Sequence, residues 1–177
     1  MTESVVPPDD ELVRIPLHFD SFYRSEYRSI FGLVYGLTGS KAVAEDLTQE
    51  TFLRAHKSWD DVGRYDNPHG WVRRVASNLA MSRFRRLRSE SKALVRLGVR
   101  NDWTMPTLSV EYEAFWDRVR ALPKRQAQVV ALHYLEDLSI AEIANVLEIA
   151  EGTVKAQLHR ARSSLAKSLH AEKEDLR

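Results

Sequence analysis

Lys155, His159 and Arg160 share one stripe of a helix-periodic segment, opposite Val154, Leu158, Ala161 and Leu165. Side chains of these types on one helix face suit DNA. An arginine fork matches O6 and N7 of guanine, while a lysine serves guanine or phosphate. Thr153 and Ala156 belong to the same segment, and a residue as small as Ala156 lets a helix approach the bases closely. An ordinary helical hairpin with a basic outer face satisfies the same pattern, and these residues alone leave both readings open. A second basic store lies upstream. Residues 71–100 hold nine Lys or Arg against one acid, Glu90. The whole chain carries +1, so this +8 segment leaves −7 on the remainder. Such segregation points to a polyanion at one place and a basic partner at another.

Catalytic chemistry finds little support. The absence of cysteine excludes disulfides, thiol catalysis, iron–sulfur clusters and cysteine-ligated zinc. His56, Asp60, Asp61 and His69 lie close in sequence and suggest metal-assisted hydrolysis. Their spacing does not repeat on one helix face, and there is no glycine-rich phosphate loop or nucleophile elbow. The expectation is therefore no enzyme, no metal and no cofactor. No stretch approaches the ~18 uninterrupted apolar residues of a membrane span. The first residues, MTESVVPPDDE, lack the basic start and apolar run of a signal peptide, so a cytoplasmic location without membrane insertion is expected.

The elements that must position these residues read as helices. The chain has 177 residues, 44% of them apolar, with only 7 Gly and 6 Pro, so turn punctuation is sparse and long helices are natural. Phe19, Phe22, Tyr23, Ile30, Phe31 and Val34 form a first amphipathic stripe, closed by Thr38-Gly39. Ser40 caps a second helix that turns Ala44, Leu47, Phe52, Ala55 and Trp59 inward and shows Glu45, Asp46, Gln49, Glu50 and Lys57 outward. A polar loop, residues 60–66, leads to Asn67-Pro68, which cap and start a third helix running into the basic segment. Periodicity fades over residues 89–109, a linker by this reading, although Leu94, Leu97, Trp103 and Met105 are apolar for a free coil.

A second block begins near Val110 and is broken at Leu122-Pro123, after which Ala127, Val130, Ala131 and Tyr134 mark a further short helix. Ser139 and Glu142 then form a capping box, flanked by Leu138 and Ile143 as a hydrophobic staple. A three-residue turn, residues 148–150, separates that helix from the one carrying Lys155 and Arg160. Two helices so joined make a helix-turn-helix pattern. The fold expected is all-α, in two small helical domains joined by the linker, with boundaries at 1–88, 89–109 and 110–177. Nothing in the sequence signals a shared interface between the two.

Residues 151–162 (EGTVKAQLHRAR), preceded by Leu122-Pro123 and residues 139–144 (SIAEIA), resemble region 4 of bacterial extracytoplasmic-function sigma factors. Residues 44–59 (AEDLTQETFLRAHKSW) and 71–80 (WVRRVASNLA) resemble helices of their region 2. Two independent motifs in the right order make the resemblance specific, and it covers residues 19–88 and 110–169. The N-terminal segment, with five acids against Arg14 in its first 20 residues, and the linker match no pattern.

The resemblance implies a factor that binds core RNA polymerase and directs promoter-specific initiation through minus-10 and minus-35 elements. It places Asp46, Gln49 and Glu50 on the coiled-coil of the largest polymerase subunit, with the flap as the partner of region 4. It assigns minus-10 DNA to Val62, Gly63, Arg64, Tyr65, Asp66, Asn67 and Arg74, with Asn78 across the pocket. An amide reads a base edge and a tyrosine stacks on unpaired bases. Arg83, Arg85 and Arg86 then meet phosphate. Thr153, Lys155, Ala156, His159 and Arg160 face the minus-35 major groove, and an anti-sigma factor is an expected partner. Two positions depart from the family pattern. Glu148 stands where relatives often have Gly at the end of the first helix, and Ala150 where they often have a Ser cap.

Overall fold

The computed structural model describes residues 18–95 and 110–175, and every regular element among them is an α-helix. The first block contains α1 (Phe19–Thr38), α2 (Lys41–Lys57), α3 (Trp59–Val62) and α4 (Pro68–Val95). The second contains α5 (Val110–Ala121), α6 (Lys124–Tyr134), α7 (Ile140–Leu147) and α8 (Glu151–Asp175). The acidic N-terminal segment and residues 96–109 of the expected linker lie outside the described residues.

The helix ends follow the local signals. Gly39 closes α1 in the left-handed conformation, φ 69°, and its N–H donates to the Tyr35 carbonyl at 2.7 Å. Ser40 Oγ accepts from Val43 N at 3.4 Å at the start of α2. Asn67 Oδ1 accepts from Gly70 N at 2.7 Å, and Pro68 occupies the first position of α4, where a missing N–H costs nothing. The capping box forms: Glu142 N donates to Ser139 Oγ at 3.3 Å and Ser139 N to Glu142 Oε2 at 2.8 Å. Hydrogen bonding from the Ser139 side chain and from its backbone N–H holds the Glu142 carboxyl below its ordinary range.

Two elements differ from the sequence expectation. Residues 59–62 coil into the short helix α3 because Val62 is buried and half-buried Trp59 packs against Phe19 and Phe22, so the polar loop begins only at Gly63. Helix α4 runs on to Val95, into the segment read as linker. No Gly or Pro stands between Gly70 and Gly98 to stop it.

The larger difference is that the two blocks pack together. α1 meets α5 and α6, and α4 meets α6 and α7. Apolar burial is continuous across the seam, from Ile30, Leu33 and Leu37 of α1 to Trp116, Val130 and Leu132. Gly36 permits the close approach: a Cβ there would stand 2.5 Å from Leu135 Cδ1. Arg120, buried at 5% exposure, reaches from α5 to the end of α1, where its Nη1 donates to the Gly36 carbonyl at 2.9 Å. It thereby satisfies one of the carbonyls that a helix C-terminus leaves unpaired.

Candidate nucleic-acid interface

Three surfaces carry the residues singled out in the sequence. On α8, the buried stripe is Val154, Leu158, Ala161 and Leu165. Thr153, Lys155, Ala156, His159 and Arg160 are all exposed on the other side of the helix. Lys155 Nζ lies 3.9 Å from Glu151 Oε2, an exposed pair of little energetic weight that leaves the lysine available to an anion. Helix α7 ends at Glu148 in the left-handed conformation, φ 53° and ψ 50°. The turn therefore adopts the geometry that favours glycine even though glutamate stands there. At the start of α8, Thr153 N and Val154 N donate to the Ala150 carbonyl, and Ala150 has no side-chain acceptor to add.

The second surface is the loop after α3 together with the first turns of α4. Tyr65 is 48% exposed, and Arg64, Asp66 and Asn67 are exposed around it. Val62, by contrast, is buried at 1% exposure; packed into the core, it shapes the loop from below and offers no face to a base. Gly63 sits against Trp59, where a Cβ would stand 2.9 Å from the Trp59 carbonyl oxygen. Trp71 is half-buried and packs on the core. Tyr65, Asn67, Gly70, Trp71 and Arg74 line a groove of about 330 Å³, closed on its far side by Asn145, Val146 and Glu148 of the second block. Arg74 forms an ion pair with Glu148 across it. Asn78 Oδ1 accepts from Gln128 Nε2 of α6 at 3.0 Å.

The third surface is a groove between α2 and α4. Val43, Asp46, Leu47 and Glu50 face Leu79, Ser82, Arg83 and Arg86 across it. Asp46 and Gln49 are exposed, while Leu47 and Phe52 are buried, so the polar set points away from the core. Glu50 also pairs with Arg54 one turn along. The acidic and basic surfaces thus meet at one groove. Arg85 lies on α4, with its side chain outside the described residues.

Sequence reasoning passed over Glu26, Arg73, Gln128 and Glu136, which form the polar seam between the blocks. One signal was available. Glu26 interrupts the buried series Phe22, Ile30, Leu33 and Leu37 at helical spacing, and a carboxylate there requires a cationic partner. That partner is Arg73, whose Nη1 donates to Glu26 Oε2 at 2.7 Å.

No group of three or more His, Asp or Glu among the described residues could hold a metal ion. None of the described helices is long and apolar enough to cross a membrane.

Both blocks match known proteins. Residues 22–90 match the model of Sigma-70 region 2, and residues 112–165 that of Sigma-70, region 4. The chain is 29% identical over 155 residues to the ECF RNA polymerase sigma factor SigW of Bacillus subtilis, covering 79% of this chain and 82% of SigW. It is 34% identical over 158 residues to BldN of Streptomyces coelicolor, also an ECF sigma factor, covering 85% of this chain and 60% of BldN. Among solved structures, the fold resembles the sigma factor RpoE from Bartonella quintana, with a TM-score of 0.65 and 20% identity over 86% of this chain and 96% of RpoE. With both regions matched in order and the same architecture around them, the chain belongs to the sigma-70 family of RNA polymerase sigma factors, in its extracytoplasmic-function group.

Proposed function

We propose that this chain joins core RNA polymerase through the Asp46, Gln49 and Glu50 face of α2 and selects promoters with two separate DNA surfaces. Members of this family are non-catalytic initiation factors. The observation that carries the reading is the outer face of α8, where Lys155, Ala156, His159 and Arg160 lie together, exposed, on the second helix of a helix-turn-helix. This face reads the minus-35 major groove. Tyr65, Asn67 and Asn78 read unpaired minus-10 bases, and Arg74, Arg83, Arg85 and Arg86 hold phosphate. Gly63, Arg64 and Asp66 shape the loop around them.

The docking face meets the basic coiled-coil of the largest polymerase subunit, and the second block meets the flap. The site of action is the cytoplasm. RpoE of Bartonella quintana was solved in complex with the anti-sigma factor NepR, which supports a similar restraining partner here. The deciding experiment is capture of core polymerase on the purified chain, followed by transcription from a promoter library. Retention of polymerase with enrichment of a shared pair of elements is the expected result. A chain that binds DNA but not polymerase would instead be a one-component regulator.

A further inference from the structure

A cavity of about 340 Å³ opens where α1 meets α5 and the turn after α6. Phe31, Tyr35, Tyr112 and Trp116 give it aromatic walls, and Gly32 and Gly36 of α1 contribute backbone alone. It shares no residue with the two grooves described above or with the outer face of α8. Small-ligand pockets run from about 300 to 1,000 Å³ and combine mostly apolar and aromatic lining with a few polar groups. This one stands at the small end of that range, with room for one or two fused rings.

The two glycines differ in what explains them. Gly36 is required by packing, because a Cβ there would strike Leu135 Cδ1. Gly32 is not. It lies inside α1 without a positive φ, and a Cβ there would meet nothing within 4 Å. Glycine inside a helix is less stable than alanine, so what Gly32 preserves is the open space.

The polar groups around that space fix the charge of an occupant. Glu136 accepts from Arg73 Nε at 2.7 Å and from Ser29 Oγ. Glu113 accepts from the Tyr35 hydroxyl at 3.1 Å and lies 3.6 Å from Arg120 Nη2. Arg120 is itself engaged by the Gly36 carbonyl and Asp117. Burial and the bond to Glu113 raise the Tyr35 pKa above its ordinary value, so its hydroxyl stays a neutral donor. These groups are all committed within the fold. Arg28 also lines the cavity, is exposed, and makes no hydrogen bond or ion pair among the described residues. A guanidinium pairs with a carboxylate through two parallel hydrogen bonds, and aromatic walls accept a flat ring.

We propose that this cavity binds a small planar aromatic carboxylate, with its ring among Phe31, Tyr35, Tyr112 and Trp116 and its carboxylate on Arg28. The site is separate from the DNA and polymerase surfaces, and its test does not depend on them.

Three probes share an indole ring and differ in charge: indole-3-acetate, neutral indole-3-acetamide and cationic tryptamine. Titration calorimetry on the full chain should show saturable binding of the acetate, binding of the amide weaker on the order of tenfold, and none of tryptamine. Bound acetate should also raise the melting temperature as its concentration rises. Arg28→Gln, at an exposed position, should reduce the acetate to the affinity of the amide and leave the amide unchanged. Gly32→Leu fills the cavity and should abolish binding of both, while circular dichroism and melting temperature stay at or above those of the unmodified chain. Acetate binding that survives both substitutions lies elsewhere and overturns the site. Tryptamine binding as tightly as the acetate overturns the anion assignment, since uncommitted Glu113 and Glu136 carboxylates would then be the recognising groups. No binding of any probe at millimolar concentration overturns the proposal as a whole.

Discussion

Arg160 shows how far a single side chain can be argued. It is exposed on α8 opposite Leu158 and Ala161, both buried, so the fold already aims it outward. Arg160→Ala should cost about 1–3 kcal/mol on the preferred promoter and relax selectivity at one base pair. Binding of matched and mismatched duplexes, in complex with polymerase, checks this; an equal loss on all sequences would reduce the residue to a generic cation. Ala150 is a stability test at the same scale. Its carbonyl accepts from Thr153 N and Val154 N, but it supplies no side-chain acceptor. Ala150→Ser should add about 1 kcal/mol, visible as a melting temperature raised by roughly 2–4 °C. Glu142 brings a pH dependence. Its folded pKa is lowered by bonds from Ser139, so its contribution is present above the ordinary carboxylate range and is lost as pH falls through the lowered value. Glu142→Gln should flatten the acid limb of melting temperature against pH; an unchanged limb would remove the box from the account. All three residues were legible in sequence, because caps and helix faces are set by neighbours within four positions.

Whole elements were legible wherever their signals were local, and less so where burial decided. Ser40, Asn67-Pro68 and Ser139 start helices that the sequence already announces. Helix α3 escaped, because Asp60 and Asp61 look like loop residues while Val62 is buried and Trp59 packs on Phe19 and Phe22 of α1. The relation of α2 to α4 escaped as well. Periodicity shows that Asp46 and Glu50 share a face, but only packing sets Arg83 and Arg86 across the groove from them. This sharpens the docking prediction. Asp46→Lys with Glu50→Lys places four cations around one groove, which a basic coiled-coil should then reject. Retention of core polymerase should fall at least roughly tenfold, while duplex binding through α8 is kept. Asp46 is exposed and Glu50 only half-buried, so stability should change by no more than about 1 kcal/mol. Unchanged polymerase retention would remove the docking role from α2.

At the scale of the molecule, the seam between the blocks was illegible, and the reason is physical. Its polar members are far apart in the chain: Arg73 with Glu136, Ser77 with Gln128, Tyr35 with Glu113. No periodicity links such residues, and Gly36 and Arg120 look unremarkable until α5 is laid against the end of α1. Arg120 is the residue on which coupling of the blocks is best tested. Its guanidinium is buried, donates to the Gly36 carbonyl at 2.9 Å and to Asp117 Oδ1 at 2.6 Å, and lies 3.6 Å from Glu113 Oε2. Glu113 in turn accepts from the Tyr35 hydroxyl at 3.1 Å, so one side chain organises contacts of both blocks. Arg120→Met keeps the apolar stem but leaves the Gly36 carbonyl without this donor. Losing hydrogen bonds to a charged donor at a buried site should cost about 2 kcal/mol, or roughly 4–8 °C at the transition. Each block contributes its own buried apolar residues to the shared core, Phe22 to Met81 from one and Trp116 to Leu165 from the other. The expected calorimetric result is therefore one coupled transition for the unmodified chain and two separated transitions for Arg120→Met. A single transition of unchanged temperature in the variant would show that the apolar seam alone holds the blocks together.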